Sequence, residues 1–548
     1  MKGDLLMEGR LWSTSGALRR LLCELVSWES QTLSEGEKVF SKKLQEKLML
    51  LPYFRSCPEK VALHDADLGR HTVTALYQHP EASGTVVLIS HYDTVQTEEY
   101  GALEPLAIHP EELTKKLLEH PEELPDAARK DLLSGDYLFG RGTMDMKMGL
   151  ALHMQLLEKA SEEQWPLNLL LVTVPDEEVN SVGMRTAVPA LVKLREEYGL
   201  HYKLFLNSEP SFSQGPSDTK EYIYSGSIGK IMPAALFYGK ETHVGEPLKG
   251  ITSPFISSFL TQHMEWNERF RETHFGESTP LPVSLQLKDL KLQYSTQTPY
   301  RSAALYNVFL MKRSAAKVMN LFEQVALEAM AECNARYRAL CEREQIDGVG
   351  EVKVLRYDQL LDYAINKLGS GEVQRIKNEA LQKEEWDDRE KSLRIVDGLM
   401  IACQELTPAT VLLFAPPYYP AVNSSGHPLI DDAISLLKQE AKTFDITLDQ
   451  IHYFNGISDL SYVNYERNDE WSCFEKNTPV WDETYSIPFK EMLELRAPVL
   501  NVGPFGKDAH QRTERLHMSS AFIEMPVLLE KLMRDLVIRE QAEHLSVS

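Results

Sequence analysis

Residues 85–95 read TVVLISHYDTV, an almost unbroken apolar and β-branched run that ends in a histidine, with an acid two places further on. A run that short, with no polar alternation, fits a strand covered by helices on both faces of a sheet. Two other runs share the pattern: LNLLLVTV (167–174) leads into PDEEVNSVGM, and YKLFLN (202–207) leads into SEP. TVTALY (72–77) reads as a further strand. Helical periodicity occupies 14–28 and 35–50 before these runs, and 146–160 and 183–198 between them. Such alternation specifies an α/β fold, a sheet with helices on both faces.

Open sheets of this kind bind ligands beyond the carboxyl ends of their strands, and the unusual residues gather there. His91 and Asp93 follow the first run. Two apart on extended chain, they share a face, so Asp93 can accept a hydrogen bond from the ring and fix its tautomer. Asp176, Glu177 and Glu178 follow the second run and Glu209 the third. Asp145 sits in FGRGTMDMKMG (139–149), where Gly140 and Gly142 permit a sharp turn before a helix begins. His510 lies in VGPFGKDAHQRTE (502–514), after the strand-like APVLNV (497–502). Adjacent carboxylates repel one another unless they are solvated or held by cations. Asp145, Glu177, Glu178 and Glu209 with His91 and His510, four carboxylates and two histidines, exceed what one tetrahedral zinc takes. They suit two divalent ions sharing a bridging carboxylate, with one carboxylate left as a base.

These segments resemble the five-motif signature of the co-catalytic di-zinc hydrolases, the family of acetylornithine deacetylase, succinyl-diaminopimelate desuccinylase, aminoacylase, cytosolic dipeptidase and the glutamate carboxypeptidases. GRGTMDMKMG (140–149) and DEEVNSVG (176–183) carry the likeness most closely; HYD, NSEP and AHQRTE complete it, in the family's order from about 85 to 517. The resemblance implies two zinc ions per subunit, with manganese or cobalt also suited to such oxygen–nitrogen sites. By the same resemblance His91 and Glu209 hold one ion, Glu178 and His510 the other, and Asp145 bridges them. Asp93 orients His91. Glu177 is the general base, taking a proton from the attacking water and passing it to the leaving amine. Glu514 resembles an acid the family keeps in the last loop, in a supporting role.

HVGEPLKG (243–250) resembles the start of the family's smaller lid or dimerisation domain. This implies a homodimer in which His243 reaches the partner's active site and stabilises the oxyanion. Arg313 stands near a position where relatives carry an arginine for the substrate carboxylate. The expected architecture is a mixed-sheet catalytic domain split over 1–216 and 421–548 around an inserted α+β lid of 217–420. Two segments depart from compact relatives: acidic 96–135, with HPEEL at 109–113 and 120–124, and an enlarged stretch at 340–405. FAPPYYPAVN (414–423) and GISDLSY (456–462) look most like the arginine-utilisation (Roc-type) branch, which points toward arginine or ornithine catabolism.

Composition sets the outer bounds. With 58 Lys and Arg against 81 Asp and Glu, the net charge of −23 repels a phosphate backbone, so no nucleic-acid partner is expected. A 43% hydrophobic content excludes a disordered chain. No run approaches the roughly 18 apolar residues of a membrane span. Six scattered cysteines without a CxxC pair fit a reducing compartment, and Asp4 and Glu8 interrupt any leader-like core, so a cytoplasmic protein is expected. The expected substrate is a small N-acyl amino acid or a short peptide. A metal-holding binding or regulatory protein without turnover is the alternative; the complete ligand set together with Glu177 argues against it.

Overall fold

The computed structural model describes residues 10–547 apart from 216, 292 and 467–470; Asp4 and Glu8 lie outside the described residues. The chain forms two compact units. The first comprises the chain up to Ser227, Val422–Tyr465 and the chain from Pro488; the second comprises Ile228–Ala421 and Glu466–Ile487.

The first unit is built on an eight-stranded mixed sheet. Its strands are β1 (Val61–Asp67), β2 (Arg70–Tyr77), β3 (Thr85–His91), β4 (Asn168–Val174), β5 (Tyr202–Asn207), β6 (Glu221–Tyr224), β7 (Leu448–Ile451) and β8 (Val499–Asn501). They lie in the order β1-β2-β4-β3-β5-β8-β6-β7. Strands β4, β3, β5 and β8 run parallel. Every residue of β3 and β4 is buried, as their continuous apolar character demands. Successive side chains alternate between faces. Val86 and Leu88 belong to a large core with the helices Ser15–Ser27 and Lys147–Glu163, while Val87 and Ile89, equally buried, lie outside that cluster. Thr14 and Ser34 cap their helices by accepting from the amides of Ala17 and Glu37, as their type and position predict.

Segment 96–135 makes a small core of its own. Leu113 and Leu124, the leucines of the two HPEEL strings, pack with Tyr100, Leu132 and Phe139. Pro110 opens the helix Pro110–Leu117 and the two glutamates behind it sit in its first turn, where the helix dipole favours acids.

The second unit carries a five-stranded sheet in the order Val283–Asp289, Arg301–Leu310, Gly229–Tyr238, Ala409–Tyr419, Lys353–Arg356. The 340–405 enlargement supplies that last strand, which pairs in parallel with Ala409–Leu412, and three helices, Tyr357–Leu368, Ser370–Leu381 and Asp388–Ala402. Two boundaries differ from those read in the sequence. The stretch 221–238, expected within the lid, forms three strands, Glu221–Tyr224 (β6), Gly226–Ser227 and Gly229–Tyr238, and β6 pairs within the large sheet. Residues 466–487, expected in the catalytic domain, belong to the second unit: Phe474 packs on Phe414 and Tyr418, and the Phe414 amide donates to the Asn477 carbonyl at 2.8 Å.

Candidate metal centre

Strand register brings the acidic segments to one edge. His91 stands opposite Val174, Ile89 opposite Asn207, and Asn501 opposite Asn207, so the chain leaves β3, β4, β5 and β8 at a common carboxyl end. Asp145 and His510 arrive together by another route. Tyr137–Phe139, which precedes Asp145, pairs with Arg515–His517, which follows the His510 loop. At the turn between Phe139 and Asp145, Gly142 has φ +73°, and a Cβ there would lie 2.9 Å from the Thr94 methyl. Only glycine meets both conditions.

The side chains converge closely. His91 Nε2 lies 3.2 Å from Asp145 Oδ1, 3.5 Å from Glu209 Oε1 and 3.9 Å from Glu177 Oε2. His510 Nε2 lies 3.1 Å from Asp145 Oδ2 and 3.1 Å from Glu178 Oε2. One atom each from His91, Asp145 and Glu178 fall within 4.8 Å of one another. The two Asp145 oxygens thus address different histidines, each with a glutamate of its own. The His91 Nδ1–H donates to the Asp93 carbonyl at 3.1 Å, with an Asp93 carboxylate oxygen at 3.4 Å, which leaves Nε2 as the ligating nitrogen.

Asp93 also holds the acidic turn. Its carboxylate accepts from the amides of Glu177 (3.0 Å) and Glu178 (3.3 Å) and from the Thr32 hydroxyl (2.9 Å). Asp176, the first acid of the turn, has a different task. With φ +65° it accepts from Arg70 at 2.9 Å, while Glu37 accepts from the Asp176 amide at 3.0 Å and contacts Arg70 at 3.2 Å. Burial pushes the Glu37 carboxyl up to about 8. One guanidinium therefore balances two buried carboxylates beneath the turn. Arg70→Met strands both, and breaking a buried pair in this way costs about 3–5 kcal/mol. A thermal melt of the variant should show a clear loss of stability, and an unchanged melt would contradict the role given to Arg70.

Without cations the centre holds protons. Hydrogen bonds to Asp145 and Glu178 push the His510 ring up to about 11. Burial raises Glu177 and Glu209 well above the usual carboxylate range, against the pull of His91. Asp145 moves the other way: the hydrogen bonds from His510 and His91 outweigh its burial and hold it well below its ordinary value. Metal ligands must be deprotonated. Divalent ions entering at pH 7.5 should therefore release protons, and their affinity should fall as the pH drops. Titration in a weak buffer with an indicator dye reads this directly, and uptake without proton release would contradict the ligand set.

Sequence reading missed Asp459. Buried at 2% exposure on the turn Asp459–Tyr462, it is pushed up to about 7 by burial, against the opposing pull of His91 and a Ser181 hydrogen bond, and its charge raises Glu177 in turn. It lies in GISDLSY, a string used above only as a branch marker. Glu514 is fully buried, with one oxygen 2.5 Å from Arg141. Arg313 donates to the backbone carbonyls of Phe270 (3.0 Å) and Arg269 (3.2 Å) in the second unit. His243 is exposed there, bridged to Gln297, and its Nδ1 accepts from the Gly245 amide at 3.1 Å.

Comparison with known proteins gives the family. Peptidase family M20/M25/M40 matches residues 87–467, and the chain belongs to that family. It is a metal-binding hydrolase of peptide-like C–N bonds. The chain is 41% identical over 525 residues to the uncharacterized protein YqjN of Bacillus subtilis (strain 168), covering 94% of this chain and 96% of that protein. Protein RocB of the same organism is 29% identical over 530 residues, 93% of each. Among solved structures the chain is similar to the M20 family metallo-carboxypeptidase Sso-CP2 from Sulfolobus solfataricus, with TM-score 0.54 and 13% identity over 94% of this chain and 98% of that one. At that identity the likeness is one of fold. Among the described residues no helix is long and apolar enough to cross a membrane.

Proposed function

We propose that the centre holds two divalent ions, zinc in the first instance, and hydrolyses the amide bond of a small N-acyl amino acid or short peptide. One observation carries this: Asp145 turns Oδ1 to His91 and Oδ2 to His510, so each histidine shares the aspartate and has a separate glutamate, Glu209 or Glu178. The donors are imidazole nitrogens and carboxylate oxygens, a set that fits zinc and also admits manganese or cobalt. His91, Asp145 and Glu209 would hold one ion, and His510, Asp145 and Glu178 the other. When bound, such ions polarise a scissile carbonyl and acidify water.

The remaining work falls to side chains. Glu177 is positioned by the Asp93–amide bond, and its surroundings favour a carboxyl that takes up a proton. It accepts the proton of the attacking water and returns it to the leaving amine. Asp93 keeps the Nδ1–H tautomer of His91. Asp459, neither a ligand nor the base in this reading, leaves a buried acid near the centre for a cationic substrate side chain. Together with the likeness to RocB and the strings FAPPYYPAVN and GISDLSY, this supports an arginine- or ornithine-derived amide. The protein acts as a cytoplasmic homodimer in this reading, and His243 donates to the oxyanion in the partner's site.

The test is a screen of N-acyl arginines, N-acyl ornithines and dipeptides with zinc-loaded protein, joined to a subunit-mixing assay. Hydrolysis within one of these classes is expected, and His243→Ala should lower kcat about 10²–10³-fold, in line with loss of one oxyanion donor. Mixing inactive His243→Ala with inactive Glu177→Gln subunits should restore part of the activity, because one intact site forms per mixed dimer. Normal turnover by His243→Ala would remove the partner role. Metal-loaded protein that hydrolyses none of the panel would favour the non-catalytic alternative.

A further inference from the structure

A second cluster lies in the first unit. Glu221 opens β6, His517 ends the strand Arg515–His517, and Glu524 closes a π-helical turn, Ser520–Glu524, ahead of the terminal helix. One potential ligand atom from each falls within 4.8 Å of the other two. Glu221 and Glu524 are each only 8% exposed. Among the described residues, Glu524 Oε2 and His517 Nδ1 are buried with no hydrogen-bond partner. Ser520 makes the one side-chain hydrogen bond to Glu221 among the described residues, its hydroxyl donating to Oε2 at 3.3 Å.

Two buried carboxylates with so few donors are costly unless something positive joins them. The neighbouring cations are engaged elsewhere. Lys507 and Arg515 pair with Asp131 at 2.9 and 2.8 Å, Arg515 also with Asp508, and Lys220 with Asp449 at 3.0 Å. Burial lowers the His517 ring below its ordinary value, favouring the neutral form that binds metal, and pushes both glutamates up to about 7. π-Helical turns concentrate at functional sites, and this one carries both Ser520 and Glu524. Glu221 and His517 also line a cleft of about 570 Å³ with Tyr137, Phe505 and Lys507, which gives an ion a way in.

We propose that Glu221, His517 and Glu524 form a separate site for one divalent transition ion, zinc or manganese in class, bound by one nitrogen and two carboxylates with a further position open to the cleft. The site braces the base of the hydrolytic centre. His517 lies on the strand that leaves the His510 loop, and it pairs with Tyr137 at the start of the strand that leads to Asp145. Its occupancy does not depend on the proposed chemistry.

The test counts ions where the first centre is broken. Asp145→Ala protein is loaded with zinc, desalted and analysed by plasma mass spectrometry, with and without Glu524→Gln. One equivalent should remain in Asp145→Ala and disappear on adding Glu524→Gln. Zinc should also raise the melting temperature of Asp145→Ala and leave the double variant unmoved. An Asp145→Ala protein without zinc, or with the same zinc after Glu524→Gln, overturns the proposal and marks the cluster as carboxyls sharing protons. If Glu524→Gln fails to fold, His517→Gln in the same background supplies the comparison. Cobalt loading adds a second readout: a visible absorption band that is lost with His517→Gln supports the site, and a band unchanged by it refutes the site.

Discussion

Replacing Glu177 by glutamine should leave metal content unchanged and slow turnover by about 10²–10⁴-fold, the usual contribution of a positioned acid–base group. Its carboxylate is the furthest of the three that approach His91 Nε2: Oε2 lies at 3.9 Å, against 3.2 Å for Asp145 and 3.5 Å for Glu209. Glutamine keeps the backbone amide that Asp93 holds, and so keeps the turn that presents Glu178. What it removes is the capacity to accept a proton. Metal analysis and steady-state kinetics on one preparation separate the effects. Turnover within tenfold of the parent in a fully loaded Glu177→Gln protein would end its assignment as the base.

Asp145→Ala is expected to empty both halves of the centre at once. Its two oxygens stand 3.2 Å from His91 and 3.1 Å from His510, so its loss removes an anion from each side. Affinity for both ions should fall by more than the roughly 10–100-fold that loss of an outer hydrogen-bond partner costs, and hydrolysis should vanish. Glu209→Ala should weaken only the His91 side. Equilibrium dialysis against buffered zinc distinguishes the two variants. An Asp145→Ala protein that keeps one ion of the pair at parental affinity would show that the aspartate belongs to one side only.

The convergence of His91, Glu178 and Glu209 was readable in the sequence because each follows a strand of its own. His91, Glu178 and Glu209 each come within a few residues of a buried strand, and β3, β4 and β5 are parallel and adjacent, so each short string carries its own address. Asp176 was not readable. Three adjacent acids look alike, and only the fold sends one of them to Arg70, 106 residues away, with Glu37 alongside. Asp459 was hidden for a related reason: a single acid on a short turn shows no periodicity and no motif chemistry, and only the fold buries it where its charge reaches Glu177. The 466–487 segment carried no domain signal either, since aromatic residues such as Phe474 fit a core in either unit. Residues 217–227 misled because β6 is short and the Ser225–Gly226–Ser227 that separates it from Gly229–Tyr238 is too brief to read as a domain boundary.

The central claim is that one aspartate joins two metal ions on this edge of the sheet. Crystals of the zinc-loaded protein, measured at the zinc absorption edge, test it most directly. The account predicts two anomalous peaks flanking the Asp145 carboxylate, one against His91 and Glu209 and the other against His510 and Glu178. A single peak at Asp145, or two peaks with Asp145 bound to only one of them, would contradict it.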